Sequence, residues 1–168
     1  MFSAIVTGLR VANWLNWIIG VLLMIVLSAV VFDWGGIGAQ VFADTGLAHA
    51  QGALRDYLLA IVAMMPPIMV AVHWILTRLI AMVRDAGLGL ALTDANAARL
   101  RAIAWATLAI DIVDLAFGWI SVATSEATGE YFGWSPSLTG WLAVPLLLVL
   151  ARVFREGAAM RAELEGTV

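Results

Sequence analysis

The chain has 168 residues, enough for one domain, with 63% apolar and 12% charged residues, a net charge of -3 and no cysteine. That balance lies outside the range of ordinary soluble domains, and the missing thiols exclude disulfides and thiolate metal centres. The apolar residues fall in four continuous runs that approach or exceed the roughly 20 residues needed to cross a hydrocarbon core, with none of the ten-residue alternation of a barrel. The expected fold is therefore an all-α integral membrane protein, a single domain built as a bundle of four transmembrane helices, with the lipid bilayer as its first partner.

The first span covers approximately 14–32. It is too long for a signal sequence, lacks a small-x-small cleavage pattern, and is expected to remain in place. Gly8, Ala12, Asn16 and Gly20 recur every fourth residue and form a small or polar ladder that lets another helix approach, while Trp14 and Trp17 suit the headgroup level. Asp33 to Asp56 then forms a loop rich in glycine, lying on the surface or holding a short interfacial helix.

The second span, approximately 57–79, is interrupted by Pro66-Pro67, which lack two backbone donors and predict a bend or local unwinding. Two arginines, Arg78 and Arg84, lead from it into the polar loop Asp85 to Arg101. Thr93 is placed there as an N-cap, its hydroxyl accepting from a free backbone N–H two or three residues on. Asn96 follows at the third helical position, where it is shorter than the Glu or Gln of a full capping box.

The third span, approximately 102–123, carries the most informative pattern: Thr107, Asp111, Asp114, Gly118, Ser121 and Ser125 alternate at spacings of four and three and so share one face. Each ionised carboxylate at mid-membrane costs about 2.5–3.5 kcal/mol on insertion scales. Burial and mutual repulsion oppose two charges side by side, so a shared proton is the expectation. His73, at about the depth of Leu108, joins Asp111, Asp114 and Thr107 in a candidate intramembrane polar cluster. Its functional reading is proton sensing or ion coupling; its structural reading is protonated carboxyls that hydrogen-bond neighbouring helices.

Tyr131, Phe132 and Trp134 in the next loop read as an interfacial aromatic belt. The fourth span, approximately 138–154, contains Pro145, ends in Arg152 and Arg155, and passes into a short tail over 155–168. Sorted by loop, Arg10, Arg78, Arg84, Arg99, Arg101, Arg152, Arg155 and Arg161 fall on one side and Arg55 alone on the other. The positive-inside rule then predicts a bacterial inner membrane protein with both termini in the cytoplasm.

Two segments, GLGLALTDANAARLRAIAW before the third span and LARVFREGAAMRAELEGTV at the end, resemble a bacterial membrane family known as domain of unknown function 2975. The most specific parts are Thr93, Asn96, Arg99, Leu100 and Arg101 in the loop and Phe154, Arg155, Glu156, Gly157, Glu165, Gly166, Thr167 and Val168 in the tail; the first two spans carry little of it. The resemblance implies four inner-membrane helices, often encoded beside a small helix-turn-helix regulator of the Cro/repressor type.

Both segments fall on the cytoplasmic side, so Thr93, Asn96, Arg99, Arg101, Arg155, Glu156, Arg161 and Glu165 become partner-binding candidates. The tail balances acids and bases and holds no recognition motif, which argues against direct nucleic-acid binding. No enzyme is expected: His49 and His73 lie on opposite sides for a haem, GWS at Gly133 to Ser135 lacks a base, and GLG at Gly87 to Gly89 lacks the third glycine and strand of a nucleotide loop. Met64, Met65 and Met69 read as packing at the proline pair, and neither metal nor cofactor is called for. The leading expectation is a regulatory or scaffold protein that sequesters a cytoplasmic helix-turn-helix regulator through the 85–101 loop and the tail. The alternatives are a small proton- or ion-coupled transporter, working as a homo-oligomer because four helices leave little room for a pathway, and an accessory subunit of a larger membrane complex.

Overall fold

A computed structural model describes residues 2–44 and 50–165, the side chain of Glu165 excepted. His49, Gly166, Thr167 and Val168 lie outside the described residues, as does the Glu165 side chain, so those expectations have no structural counterpart here. Every regular element among the described residues is helical: α1 (Phe2–Val31), a 3-10 turn (Trp34–Gly36), α2 (Ile37–Asp44), α3 (Gln51–Gly87), α4 (Asp94–Thr128) and α5 (Leu138–Glu165).

Four of these helices are long and apolar enough to cross a membrane, with mean hydropathies of 2.4, 2.1, 1.7 and 1.6 in chain order. At 1.5 Å per residue the 37 residues of α3 extend about 55 Å, well beyond a hydrocarbon core of about 30 Å. The helices therefore outrun the apolar runs from which the spans were drawn, because hydropathy marks where lipid ends and not where backbone hydrogen bonding ends. Large apolar side chains such as Trp119, 76% exposed, face outward, as a lipid solvent requires. The chain is a multi-pass membrane protein.

The loop expected over Asp33 to Asp56 contains a short helix, α2. Asp33 sits in the left-handed region at φ 52°, and its carboxylate accepts from the Ala39 N–H at 2.8 Å, capping the start of α2. The unwinding expected at Pro66-Pro67 does not occur, since both prolines lie inside the continuous helix α3. Their fixed φ suits a helix; what they remove is the pair of N–H donors to the Val62 and Ala63 carbonyls.

Two compact units divide the chain. One takes residues 2–16 of α1, 70–111 from α3 through α4, and 137–165, and its core includes Ile80, Leu100, Ile103, Ala104, Val144 and Ala151. The other takes 17–44, 50–69 and 112–136, with Val31, Phe42, Leu54 and Met69 buried. In the second unit Gly20, the last rung of the α1 ladder, is the point of close approach: a Cβ there would lie 2.6 Å from Met69 Cε. A Cβ on Gly8 would meet nothing within 4 Å among the described residues.

Candidate functional site

In the first unit, the distinctive loop segment is a tightly specified turn between α3 and α4. Gly89, with φ 75°, ends α3: the Leu90 N–H donates to Asp85 O at 2.8 Å and the Gly89 N–H to Ala86 O at 3.1 Å, the double bond pattern of a glycine C-cap. Thr93 then starts α4, accepting from the Asn96 N–H at 3.3 Å through its hydroxyl and from the Ala97 N–H at 3.0 Å through its carbonyl. The expected N-cap is present.

Asn96 does more than its position in a capping box suggests. Only 1% exposed, it donates from its amide nitrogen to Leu90 O at 3.2 Å and Ala91 O at 3.0 Å, holding the loop backbone. Its amide oxygen accepts from Arg99 at 2.6 Å, and Arg99 forms an ion pair with Asp85 at the end of α3. Asp85, Arg99 and Asn96 thus tie the end of one helix, the turn and the start of the next into one network.

The tail joins this turn. Arg161 donates to Gly89 O at 3.1 Å, and Gly157 lets α5 lie against Leu92, whose Cδ1 would be 3.1 Å from a Cβ there. The two segments that carry the family resemblance therefore form one surface. Thr93, Asn96, Arg99 and Arg161 are engaged within it, whereas Arg101, Arg155 and Glu156 are exposed and Glu156 pairs with Arg152 at 2.8 Å. The apolar side chains Leu88, Leu90, Leu92, Met160 and Leu164 stay exposed around the network.

The intramembrane polar stripe resolves residue by residue. Asp111 is 5% exposed in the first unit and packs on Gly140 of α5, where a Cβ would lie 2.7 Å from its Cγ. His73, in the same unit, stands 2.9 Å from the Asn13 amide oxygen of α1; with that oxygen as acceptor, the imidazole donates from Nδ1. The Thr107 hydroxyl turns back to Ile103 O at 3.0 Å, satisfied by its own helix.

In the second unit the stripe serves as a seat. Residues 130–136 are non-helical and run back along α4: the Phe132 N–H donates to Ser125 Oγ at 3.0 Å, and the Trp134 indole lies over Gly118 and donates to Asp114 at 3.3 Å. Tyr57 of α3 stacks against Phe117 and Phe132, with centroids 5.6 and 5.0 Å away. Trp134 and Phe132 therefore pack on the protein, while Tyr131 keeps the outward exposure expected of an interfacial belt. Polar groups along α4 give this non-helical backbone the partners that lipid cannot offer.

The roles of Asn13, Asp85, Gly89, Gly140 and Trp134 were not drawn from the sequence. Two signals were available: Gly89 stands four residues before Thr93, a helix stop followed by a start, and Gly118 inside the polar stripe marks a place for a large neighbour. No group of three or more His, Asp or Glu arranged to hold a metal occurs among the described residues.

Residues 34–168 match the model of a family described as Protein of unknown function (DUF2975). The chain belongs to this family. The match takes in α2 to α5, including the α3 span that carried little of the sequence resemblance, and leaves α1 outside. Both halves of the turn-and-tail network of this family member fall within it. Neither the curated proteins nor the solved structures supplied a match.

Proposed function

We propose that this protein is a non-enzymatic regulatory or scaffold protein of the bacterial inner membrane. Both termini lie in the cytoplasm, and a helix-turn-helix transcription regulator is held on the surface made by the 85–101 turn and the tail. The observation that carries this reading is an apolar surface on an ordered polar end. Leu88 is 74% exposed, Met160 61% and Leu164 71%, all beyond the runs that face lipid and around a turn held by the Asn96 and Arg161 hydrogen bonds. Water-facing apolar groups gain about 25 cal/mol per Å² on burial, and a rigid presentation limits the ordering cost of a partner's binding. Eight of the nine arginines on that side support the orientation. Sequestration is the mechanism: the regulator stays at the membrane until the helices change state.

The test is a pull-down from crosslinked cells, comparing wild type with Leu88→Ser/Met160→Ser, two exposed positions whose change leaves the hydrogen-bond network intact. A helix-turn-helix protein recovered with wild type and lost with the variant supports the reading. Recovery of the same soluble proteins by both overturns it, as does a terminal reporter fusion that reads the outer side.

A second reading, a proton- or ion-coupled transporter, is favoured by Asp111, a carboxyl almost fully buried between α4 and α5. It requires a flux in proteoliposomes that Asp111→Asn abolishes. Retention of another integral membrane protein in mild detergent would favour an accessory role instead.

A further inference from the structure

The α4–α5 seam of the first unit opens at its arginine-rich end into a cavity of about 210 Å³, lined by Asp94, Ala97, Ala98 and Arg101 of α4 and by Ala151 and Arg155 of α5. Three of the lining residues are alanines, and each helix contributes one arginine. Arg99 pairs with Asp85 and Arg152 with Glu156, whereas neither Arg101 nor Arg155 has an ion-pair partner among the described residues. Asp94, the one acid in the wall, pairs with neither of them, and the lining carries two positive charges against one negative.

The position of the two arginines decides which anion this charge suits. Arg101 immediately precedes the apolar run 102–123 and Arg155 immediately follows the run 138–154, so both stand where hydrocarbon gives way to headgroups. Lipid phosphates occupy that level. A guanidinium matches a phosphate with two parallel N–H donors, and basic pockets between membrane helices are suited to such headgroups. A monoanionic headgroup neutralises the surplus charge of the lining, whereas a zwitterionic one leaves it uncompensated.

We propose that Arg101 and Arg155 form a binding site for the phosphate of a monoanionic phospholipid, with the phosphoglycerol headgroup of phosphatidylglycerol as its matching chemistry. Such a lipid fastens α4 to α5 at their polar ends, beside the turn-and-tail surface, and makes the seam sensitive to membrane composition. The site is separate from Leu88 and Met160 and stands whether or not a protein docks there.

The experiment is native mass spectrometry of the purified full-length chain from uncharged detergent micelles loaded with equal amounts of phosphatidylglycerol and phosphatidylethanolamine. Wild type retains phosphatidylglycerol preferentially. Arg101→Gln and Arg155→Gln each lower that retention about fivefold and the pair about 25-fold, from the usual worth of a basic residue near an anionic surface. Arg152→Gln, outside the cavity and paired with Glu156, leaves it unchanged. Ala98→Leu, an exposed helix position, fills the cavity while keeping both charges and carries the same expectation of loss, so the result does not hinge on a charge-deleted protein folding. Inorganic phosphate leaves the lipid in place. Equal retention of the two lipids by wild type, unchanged retention in Arg101→Gln/Arg155→Gln or in Ala98→Leu, or displacement by inorganic phosphate would overturn the assignment, the last by giving the site to a free anion.

Discussion

Replacing Asn96 by alanine isolates the contribution of one buried amide to the α3–α4 turn. The substitution removes donors to the Leu90 and Ala91 carbonyls and the acceptor of one Arg99 hydrogen bond. Each neutral bond contributes about 1 kcal/mol, and the charge-assisted one about 1.5–3 kcal/mol. Arg99 keeps Asp85 as a partner, which places the charge-assisted share at the low end. The sum is about 3.5 kcal/mol, or roughly a 300-fold increase in the open population of the turn, since every 1.4 kcal/mol is tenfold. Hydrogen exchange of residues 85–97 in detergent reads this directly: the Leu90 amide, bonded to Asp85 O, and the first turn of α4 lose protection, while amides at the middle of α4 keep theirs. Asn96→Asp preserves volume and the Arg99 contact but sets a carboxylate against two carbonyl oxygens, so it loosens residues 88–93 too. Thr93→Ala, by contrast, removes only a cap worth about 1 kcal/mol and acts on the start of α4. Exchange in Asn96→Ala within about threefold of wild type would refute the claim that this amide holds the turn.

Two glycines with the same outward signature should differ in effect. Gly140→Ala drives a methyl into the buried Asp111 carboxyl and is expected to lower thermal stability in detergent by 1–3 kcal/mol or more, with loss of monodisperse protein. Gly20→Ala meets the flexible end of Met69, which shifts rotamer, and should cost less; an equal loss of stability from both would contradict the assignment. Trp134→Phe keeps an aromatic ring over Gly118 but removes the indole donor to Asp114, and about 1–3 kcal/mol of local stability goes with it. Faster exchange at Phe132 and Trp134, with exchange in the α3–α4 turn unchanged, is the expected pattern.

The four spans were legible because lipid imposes length and apolarity on any helix that crosses it, and Thr93 was legible because an N-cap is a local device. Asn96 was read only in part. Its partners are backbone carbonyls five and six residues earlier, and a carbonyl carries no residue identity for a sequence pattern to register. The stripe on α4 was recognised as one face, but half its purpose lies in residues 130–136, whose return along the helix depends on Trp134 finding Gly118 and Asp114. Aromatic residues between two spans read equally well as a belt, and composition alone does not separate a ring facing headgroups from one packed on a glycine. At Pro66-Pro67 the rule that proline breaks helices met its exception, since neighbouring helices and internal adjustments sustain a membrane helix through it.

The turn between α3 and α4 also bears on how the chain enters a membrane. Its stop signal, start signal and cross-link all lie between Asp85 and Arg99, so nothing synthesised later is needed to close it. Helical turns and loop closures of this size form within about a microsecond, whereas translation adds about 5–20 residues each second. The hairpin therefore has time to set while the tail is still being made. Arg161 reaches Gly89 only once α5 has been made, a later latch on a corner already folded.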